Sequence, residues 1–302
     1  MADRNPLAPR VVVVLIVALA AMLVLRCTSC RGTALRVGTY NIRTFGGEGS
    51  ETDMERLVAN IRESRADVLA VQEIQSIAKA RELAARLSEG GRRFELVLSE
   101  CGGRSAMRVG FLFDSSRVTL RETREYPELR PDGGSCSDGE RAAVSVAIDT
   151  GNGALIHLLV VHLAAGGERE KLEKRKEQWR RAYAIADTLE RSGPVMILGD
   201  TNSTGYLDDK YGERTFVDEE AKKEGLEVTT SPLGCSEYFG NPATGLRPSL
   251  LDHVVATPSL VAPRSVRVHG FCRDLACEPT GRVPADFETV SDHCPVTVDI
   301  AR

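Results

Sequence analysis

The 302-residue chain is expected to fold as an α/β (α+β) protein in which two facing β-sheets are covered by helices. Three observations lead there. Short β-rich runs recur with helical runs between them, yet without the strict strand-helix-strand alternation of a doubly wound parallel sheet. No Gly-x-Gly-x-x-Gly or Gly-x-x-x-x-Gly-Lys-Ser/Thr loop is present to cradle a nucleotide phosphate. A composition of 42% hydrophobic and 27% charged residues supplies the core of a globular domain and excludes disorder and collagen-like repeats.

Residues 1–32 stand apart as a targeting segment. Arg4 and Arg10 precede an unbroken apolar run from Val11 to Leu25, followed by Cys27 and Cys30. As a helix that run spans roughly 22 Å, short of a ~30 Å hydrocarbon core, which favours a signal-peptide core over a spanning helix. Thr28-Ser29-Cys30 resembles the end of a bacterial lipoprotein signal, although Cys27 stands where an aliphatic residue is usual; an uncleaved anchor is the alternative. Either way residues 33–302 are expected to be exported, to the cell envelope (periplasmic or surface) or beyond it. The net charge is −4, and without the first thirty residues, which carry three arginines against one aspartate, the remainder is more acidic still. A broadly basic surface for coating nucleic acid is therefore excluded.

From Leu35 to Ile42 the pattern predicts a strand. Ser50-Glu51-Thr52-Asp53 resembles a capping box ahead of Met54, Leu57, Val58 and Ile61 at helical spacing. A strand over Asp67 to Ile74 and a helix over Ser76 to Leu87 follow, the helix stopping near Gly90-Gly91. The middle is β-dominated, with strands at Phe94 to Leu98, Arg108 to Asp114, Val118 to Glu122, Ala142 to Asp149 and Ala154 to Leu163. Glu168 to Arg191 reads as a long helix with an apolar stripe of Trp179, Ala182, Ala186 and Leu189, ended by Ser192-Gly193-Pro194. Its cationic run of Lys171, Lys174, Arg175, Lys176, Arg180 and Arg181 is interleaved with glutamates and reads as a solvated face of ion pairs. After a strand at Val195 to Leu198, residues 201–248 are polar and irregular, and Leu250 to Thr257, Ser265 to Phe271 and Pro295 to Ile300 complete the β-structure. In an exported domain Cys101, Cys136, Cys235, Cys272, Cys277 and Cys294 point to disulfides, with Cys272–Cys277 and Cys101–Cys136 as the local pairings.

Polar residues sit at or just after the ends of several apolar strands, where side chains can converge over one rim. They occur in Tyr40-Asn41, Gln72-Glu73, Val161-His162-Leu163, Gly199-Asp200-Thr201-Asn202, Leu251-Asp252-His253 and Ser291-Asp292-His293. In that order these motifs resemble the endonuclease/exonuclease/phosphatase superfamily, which includes deoxyribonuclease I, apurinic endonucleases, neutral sphingomyelinases and inositol polyphosphate 5-phosphatases. The resemblance covers about Leu35 to Ile300 and implies a four-layer sandwich of two mixed β-sheets flanked by helices, deoxyribonuclease I-like.

It also implies roles. Glu73 is the metal ligand, with Asn41 close to the same ion and Asp292 positioning metal or histidine. Mg²⁺, or else Mn²⁺ or Ca²⁺, suits a carboxylate site. His293 lies against the scissile phosphate with Asp252 holding its tautomer, Asp200 and Asn202 reach the attacking water or the phosphate, and His162 takes a phosphate or leaving-group role. Arg141 resembles the family's phosphate-contacting arginine, although Ala142 and Ala143 replace a common proline. Arg43 stands where some nucleases carry an acid, while His157 and His269 match no motif. The expected activity is divalent-metal-dependent phosphodiester hydrolysis of DNA and, as a second polymer, RNA, without an obligate protein partner and with membrane contact only through the N-terminal segment or a lipidated Cys30. A lipid-headgroup or inositol phosphate substrate is the alternative, to be favoured if Tyr206, Tyr211, Phe216, Tyr238 and Phe239 make an apolar surface. An inactive binding module is the third reading, opposed by the complete motif set.

Overall fold

The computed structural model describes residues 34–131, 133, 139–150, 153–241 and 243–301. The expected signal or anchor segment, including Cys30, lies outside the described residues, as does Cys136. The chain divides after Ala34, and residues 35–302 form one unit.

In chain order the elements begin with β1 (Arg36–Phe45), α1 (Met54–Ser64), β2 (Val68–Ile74), α2 (Ile77–Leu87), β3 (Phe94–Leu98), β4 (Arg108–Asp114), β5 (Thr119–Tyr126), β6 (Ala143–Asp149) and β7 (Leu155–His162). They continue with α3 (Arg169–Glu190), β8 (Val195–Asp200), α4 (Glu213–Lys223), β9 (Glu227–Val228), β10 (Glu237–Asn241), β11 (Gly245–Ser249), β12 (Asp252–Ala256), β13 (Arg267–Val268), α5 (Gly270–Asp274), α6 (Ala285–Thr289) and β14 (Val296–Asp299). One six-stranded sheet runs β13-β14-β1-β2-β4-β3 and the other β5-β6-β7-β8-β12-β9, while β10 and β11 make a separate hairpin. Both sheets are mixed, because β1 pairs with β2 and β7 with β8 in parallel whereas their outer neighbours run antiparallel.

Period-two alternation builds the layers. Val37, Val68, Val109 and Phe111 of the first sheet meet Val146, Leu158, Leu198 and Val254 of the second in one buried cluster. The intervening residues face outward: Tyr40, Leu69 and Val71 pack on Leu57 and Ile61 of α1 and Leu83 of α2. On the opposite side Leu159, Val161 and Ile197 pack on Trp179 and Ala182 of α3 and Val217 and Ala221 of α4. Helix, sheet, sheet and helix give the four layers. Among the described residues no helix is long and apolar enough to cross a membrane.

Local chemistry departs from expectation in several places. The N-cap of α1 is Asp53, whose carboxylate accepts from Arg56 N, and not Ser50. The strand expected at Val118 to Glu122 extends to Tyr126 along β6. The stretch expected to be irregular from Thr201 holds α4 and the β10–β11 hairpin. The strand expected over Ser265 to Phe271 is cut to Arg267–Val268 before the chain turns into α5. The local pairing of Cys272 with Cys277 is replaced by longer bridges, Cys272–Cys294 and Cys235–Cys277. Cys272 lies within α5 and Cys277 just after it, and Cys235 and Cys294 pack in the same buried cluster as Cys272.

His269 gives a pH prediction. Burial pushes its imidazole down to about 4, with Nε2 placed 2.8 Å from Thr297 Oγ1. The unfolded chain, with an ordinary imidazole near 6.5, binds more protons between these values. The contribution is therefore complete above about pH 6.5 and lost as pH falls toward 4, by at most about 1.4 kcal/mol per unit. His269→Gln is expected to flatten the pH dependence of the urea-unfolding free energy over that window, and an unchanged slope would count against it.

Candidate active site

The same alternation that packs the core delivers the polar residues to one end of it. On β7, Leu158 and Val160 face the other sheet, so His162 does too; on β8 the series is Met196, Leu198 and Asp200. On β1, Val37 faces inward and Thr39 and Asn41 continue that face, and on β12 Val254 places Asp252 there. Register then sets the neighbours, because His162 pairs with Asp200 in parallel and Asp200 with Asp252 in antiparallel. Gly199 allows the close approach of β8 to β7: a Cβ there would lie 2.0 Å from Val161 O.

Glu73 breaks the alternation. Val68 and Ala70 face inward, so strict pleating would turn Glu73 outward with Leu69 and Val71. Instead its φ is +62°, and the pairing of β2 slips between Val71 and Ile74. That bulge returns the carboxylate to the inner rim, where Oε2 accepts from Thr44 N at 2.8 Å and Oε1 from Asn41 Nδ2 at 3.1 Å. Arg43, Thr44 and Asn202 also hold positive φ of 25°, 49° and 52°. Left-handed non-glycine residues gathered at one rim are backbone strain concentrated around the converging side chains.

Asn41 Nδ2 donates in addition to Asp200 Oδ2, at 2.8 Å, so one amide bridges the two carboxylates. His162 Nε2 lies 3.4 Å from Asp200 Oδ2 and 3.7 Å from Glu73 Oε1. Asp200 Oδ1 accepts from Asn202 N at 2.9 Å, while the Asn202 amide donates to Leu163 O at 3.1 Å. His293 Nδ1 is 2.7 Å from Asp252 Oδ2, and its Nε2 is 3.8 Å from Asp200 Oδ2. Ser236 Oγ accepts from Asp252 N at 2.9 Å, which fixes the start of β12 against the hairpin.

Electrostatics follow from this crowding. Burial alone would lower the His293 imidazole, but Asp252 and Asp200 outweigh it and hold the ring well above the usual histidine range. Burial opposes ionisation of Asp200 as well, yet His293 and His162 hold it well below the ordinary carboxylate range. Arg141 donates from Nη2 to Leu163 O at 2.8 Å and keeps a buried Nε without a hydrogen-bond partner. It is close enough to feel the Asp200 and Glu73 carboxylates.

The structure thus brings together Asn41, Glu73, His162, Asp200, Asn202, Asp252 and His293, with Arg141 beside them. Asp292 is half-buried, 3.5 Å from Ser291 Oγ, and belongs to neither of the groups able to hold a cation. His157 and His269 pair with Ser192 and Thr297 away from the set. Sequence reasoning missed Ser236 and Glu237, whose only signal is a Cys-Ser-Glu in a stretch without periodicity. Glu237 is buried beside His293, and burial pushes its carboxyl up to about 8.

Two groups present ligand atoms all within 4.8 Å of one another: Glu73, His162 and Asp200, and Asp200, Asp252 and His293. The first fits a divalent cation, since two carboxylates share one neutral amide and His162 Nε2 faces both of them. In the second, the imidazole already supplies the positive charge.

The fold recurs in solved structures. An endonuclease/exonuclease/phosphatase from Bacteroides vulgatus is 18% identical over 89% of this chain and 99% of that one, with a TM-score of 0.66. A D. rerio TDP2 complexed with single strand DNA product is 15% identical over 89% of this chain and 100% of that one, with a TM-score of 0.62. A Bacteroides thetaiotaomicron mannosyl-6-phosphatase is 17% identical over 89% of this chain and 100% of that one, with a TM-score of 0.60. No curated protein matches the chain at a significant level. At these identities the structures establish the fold, and the family follows from the sequence itself: with its profile matching residues 38–293, the chain belongs to the Endonuclease/Exonuclease/phosphatase family, whose members are metal-dependent phosphoric ester hydrolases.

Proposed function

We propose that the chain is an exported, Mg²⁺-dependent phosphodiesterase that hydrolyses nucleic acid. The observation that carries this reading is the ordered contact of Asp252 with His293 Nδ1, which leaves Nε2 facing Asp200 at the rim where Glu73 and His162 converge. The TDP2 structure, which holds a DNA product on the same fold, supports a nucleic-acid substrate. Export is supported by the arginine-flanked apolar run before residue 33 and by the Cys235–Cys277 and Cys272–Cys294 disulfides among the described residues.

Glu73, with His162 and Asp200 as neighbouring donors, would hold a divalent cation, which would supply positive charge for the non-bridging oxygens of the phosphate. The residues of the chain do the rest. Asp252 fixes the tautomer and orientation of His293, whose Nε2–H donates to a phosphate oxygen as negative charge develops there. Asp200, ionised and within reach of both imidazoles, orients the attacking water by accepting a hydrogen bond from it. Asn202 holds the loop after β8 against Leu163, and Arg141, with a spare Nε–H, adds a second cation for the phosphate.

A headgroup or sugar phosphate is the second reading. Leu207, Tyr211 and Phe239 are exposed, although Tyr206 and Tyr238 are buried in the core, and the mannosyl-6-phosphatase shares the fold.

The test is cleavage by the full-length chain of supercoiled plasmid, single-stranded RNA and bis(p-nitrophenyl) phosphate with Mg²⁺ and with EDTA. Metal-dependent cleavage of either polymer is expected, and Glu73→Ala is expected to raise the Mg²⁺ needed for half-maximal rate by about 10–100-fold. Cleavage that survives EDTA would defeat the metal-dependent reading. Activity confined to bis(p-nitrophenyl) phosphate would transfer the substrate to the headgroup class.

A further inference from the structure

The β10–β11 hairpin starts at the rim of the site and carries an exposed aromatic ring. Its base is fixed there: Ser236 Oγ accepts from Leu251 N at 3.0 Å and from Asp252 N at 2.9 Å, and Glu237 forms an isolated antiparallel bridge with His293. The Cys235–Cys277 disulfide and a bond from Tyr238 Oη to Glu278 O at 2.9 Å hold the hairpin in place. Alternation then separates its two faces. Tyr238 and Leu246 are buried together with Phe271. The other face carries Glu237, close enough to feel His293, Asp200 and Asp252, and then Phe239. Phe239 lies about 7 Å beyond Glu237 along the strand and is 52% exposed. Arg247 stands directly opposite it on β11, exposed and with no ion pair among the described residues.

A solvent-facing phenylalanine beside an unpaired guanidinium matches the two chemical parts of a nucleotide. The ring offers a stacking surface for any base, since every base has a π-face, and the guanidinium pairs with phosphate oxygens. A duplex cannot use this platform, because its bases are already stacked on their neighbours and must be extruded before their faces are free. A bilayer fits it less well. One ring buries little apolar area, and the turn beyond it is closed by a polar side chain, Asn241, whose Oδ1 accepts from Ala243 N and Thr244 N.

Resting on the nuclease reading, we propose that Phe239 stacks on the base next to the scissile phosphate while Arg247 contacts a neighbouring phosphate, so that the hairpin selects single-stranded nucleic acid. The selection lies in the base and not in the sugar, and it applies wherever along the strand His293 finds a phosphate.

The experiment uses the full-length chain with Mg²⁺ and end-labelled oligonucleotides of one sequence: single-stranded, annealed to its complement, and single-stranded with one central abasic position. The single strand is expected to be cut about 10-fold faster than the duplex in kcat/KM, and the abasic position to weaken cleavage at the phosphate it adjoins by about 10-fold. In Phe239→Ala the cleavage maps of the intact and abasic strands are expected to coincide. Phe239→Trp should keep the difference, and Phe239→Leu, which retains apolar bulk without a ring, should lose it. Arg247→Ala is expected to weaken binding of both strands alike and to lower the slope of log affinity against log salt by about 0.7. Equal cleavage of single strand and duplex, or an abasic effect that persists in Phe239→Ala, would overturn the assignment while leaving the nuclease reading intact. Binding to phosphatidylglycerol vesicles that falls in Phe239→Ala, with oligonucleotide cleavage unaltered, would give this face to a membrane and overturn it likewise. No cleavage of any oligonucleotide, whether or not bis(p-nitrophenyl) phosphate is hydrolysed, would overturn both.

Discussion

In His293→Ala, kcat for metal-supported phosphodiester cleavage is expected to fall by about 10⁴-fold, the upper range for removing a group that handles charge or protons in the transition state. The size follows from the arrangement. The imidazole is buried, takes its orientation from Asp252 at 2.7 Å, and faces Asp200 at 3.8 Å. Its positive charge is maintained by two carboxylates, so alanine leaves both buried acids without their cation and the phosphate without its donor. Asp252→Asn keeps an oxygen for Nδ1–H but removes the charge, and a loss of about 10²-fold is expected. Since the two residues act as a unit, the double variant should be no slower than His293→Ala alone. Steady-state rates at saturating Mg²⁺ decide the matter. A His293→Ala enzyme within tenfold of wild type would remove the histidine from the chemistry, and additive losses would show that Asp252 acts independently of it.

The candidate rim was legible because period-two pleating is a local rule. His162, Asp200 and Asn41 each end an inward-facing apolar series, so their convergence follows once the two sheets are placed face to face. Glu73 was legible as a residue and not as a geometry: pleating alone turns it outward, and only its positive φ at the slipped register brings it back. Asp252 and His293 were legible as motifs, but their contact joins residues 41 positions apart, and the strand that bridges to His293 belongs to a hairpin that the polar stretch conceals. That hairpin has no apolar alternation, because it pairs with itself and is anchored by disulfides and by Thr280 instead of by a sheet face. Glu237 and the cysteine partners stayed hidden for the same reason.

Arg175 is the residue whose sequence context misleads most, and its removal carries the largest expected effect on stability. Its neighbours on α3 do make surface ion pairs, such as Arg181 with Glu177. Arg175 itself is 1% exposed, with Nε 2.7 Å from Glu213 Oε1. Its Nη1 donates to Ala164 O and Gly166 O, and its Nη2 to Thr204 Oγ1 at 3.2 Å. Glu213 Oε2 in turn accepts from Gly205 N at 2.8 Å. One ion pair therefore ties together the loops that follow His162 and Asp200. The pattern of charges along α3 could not reveal this, because the groups that bury Arg175 come from those loops. Arg175→Ala leaves Glu213 as a buried charge without its partner, which is expected to cost about 3–5 kcal/mol in urea unfolding. For a domain of this size that is a fall in Tm of roughly 10 °C. Arg175→Met with Glu213→Leu removes both charges while keeping apolar bulk, and much of the loss should return, since a buried pair offsets its own desolvation only in part. Recovery in the double variant would show that the cost lies in the stranded carboxylate. No recovery would show that the backbone oxygens and Thr204 held by the guanidinium matter more, and the loops after β7 and β8 should then also lose protection from hydrogen exchange.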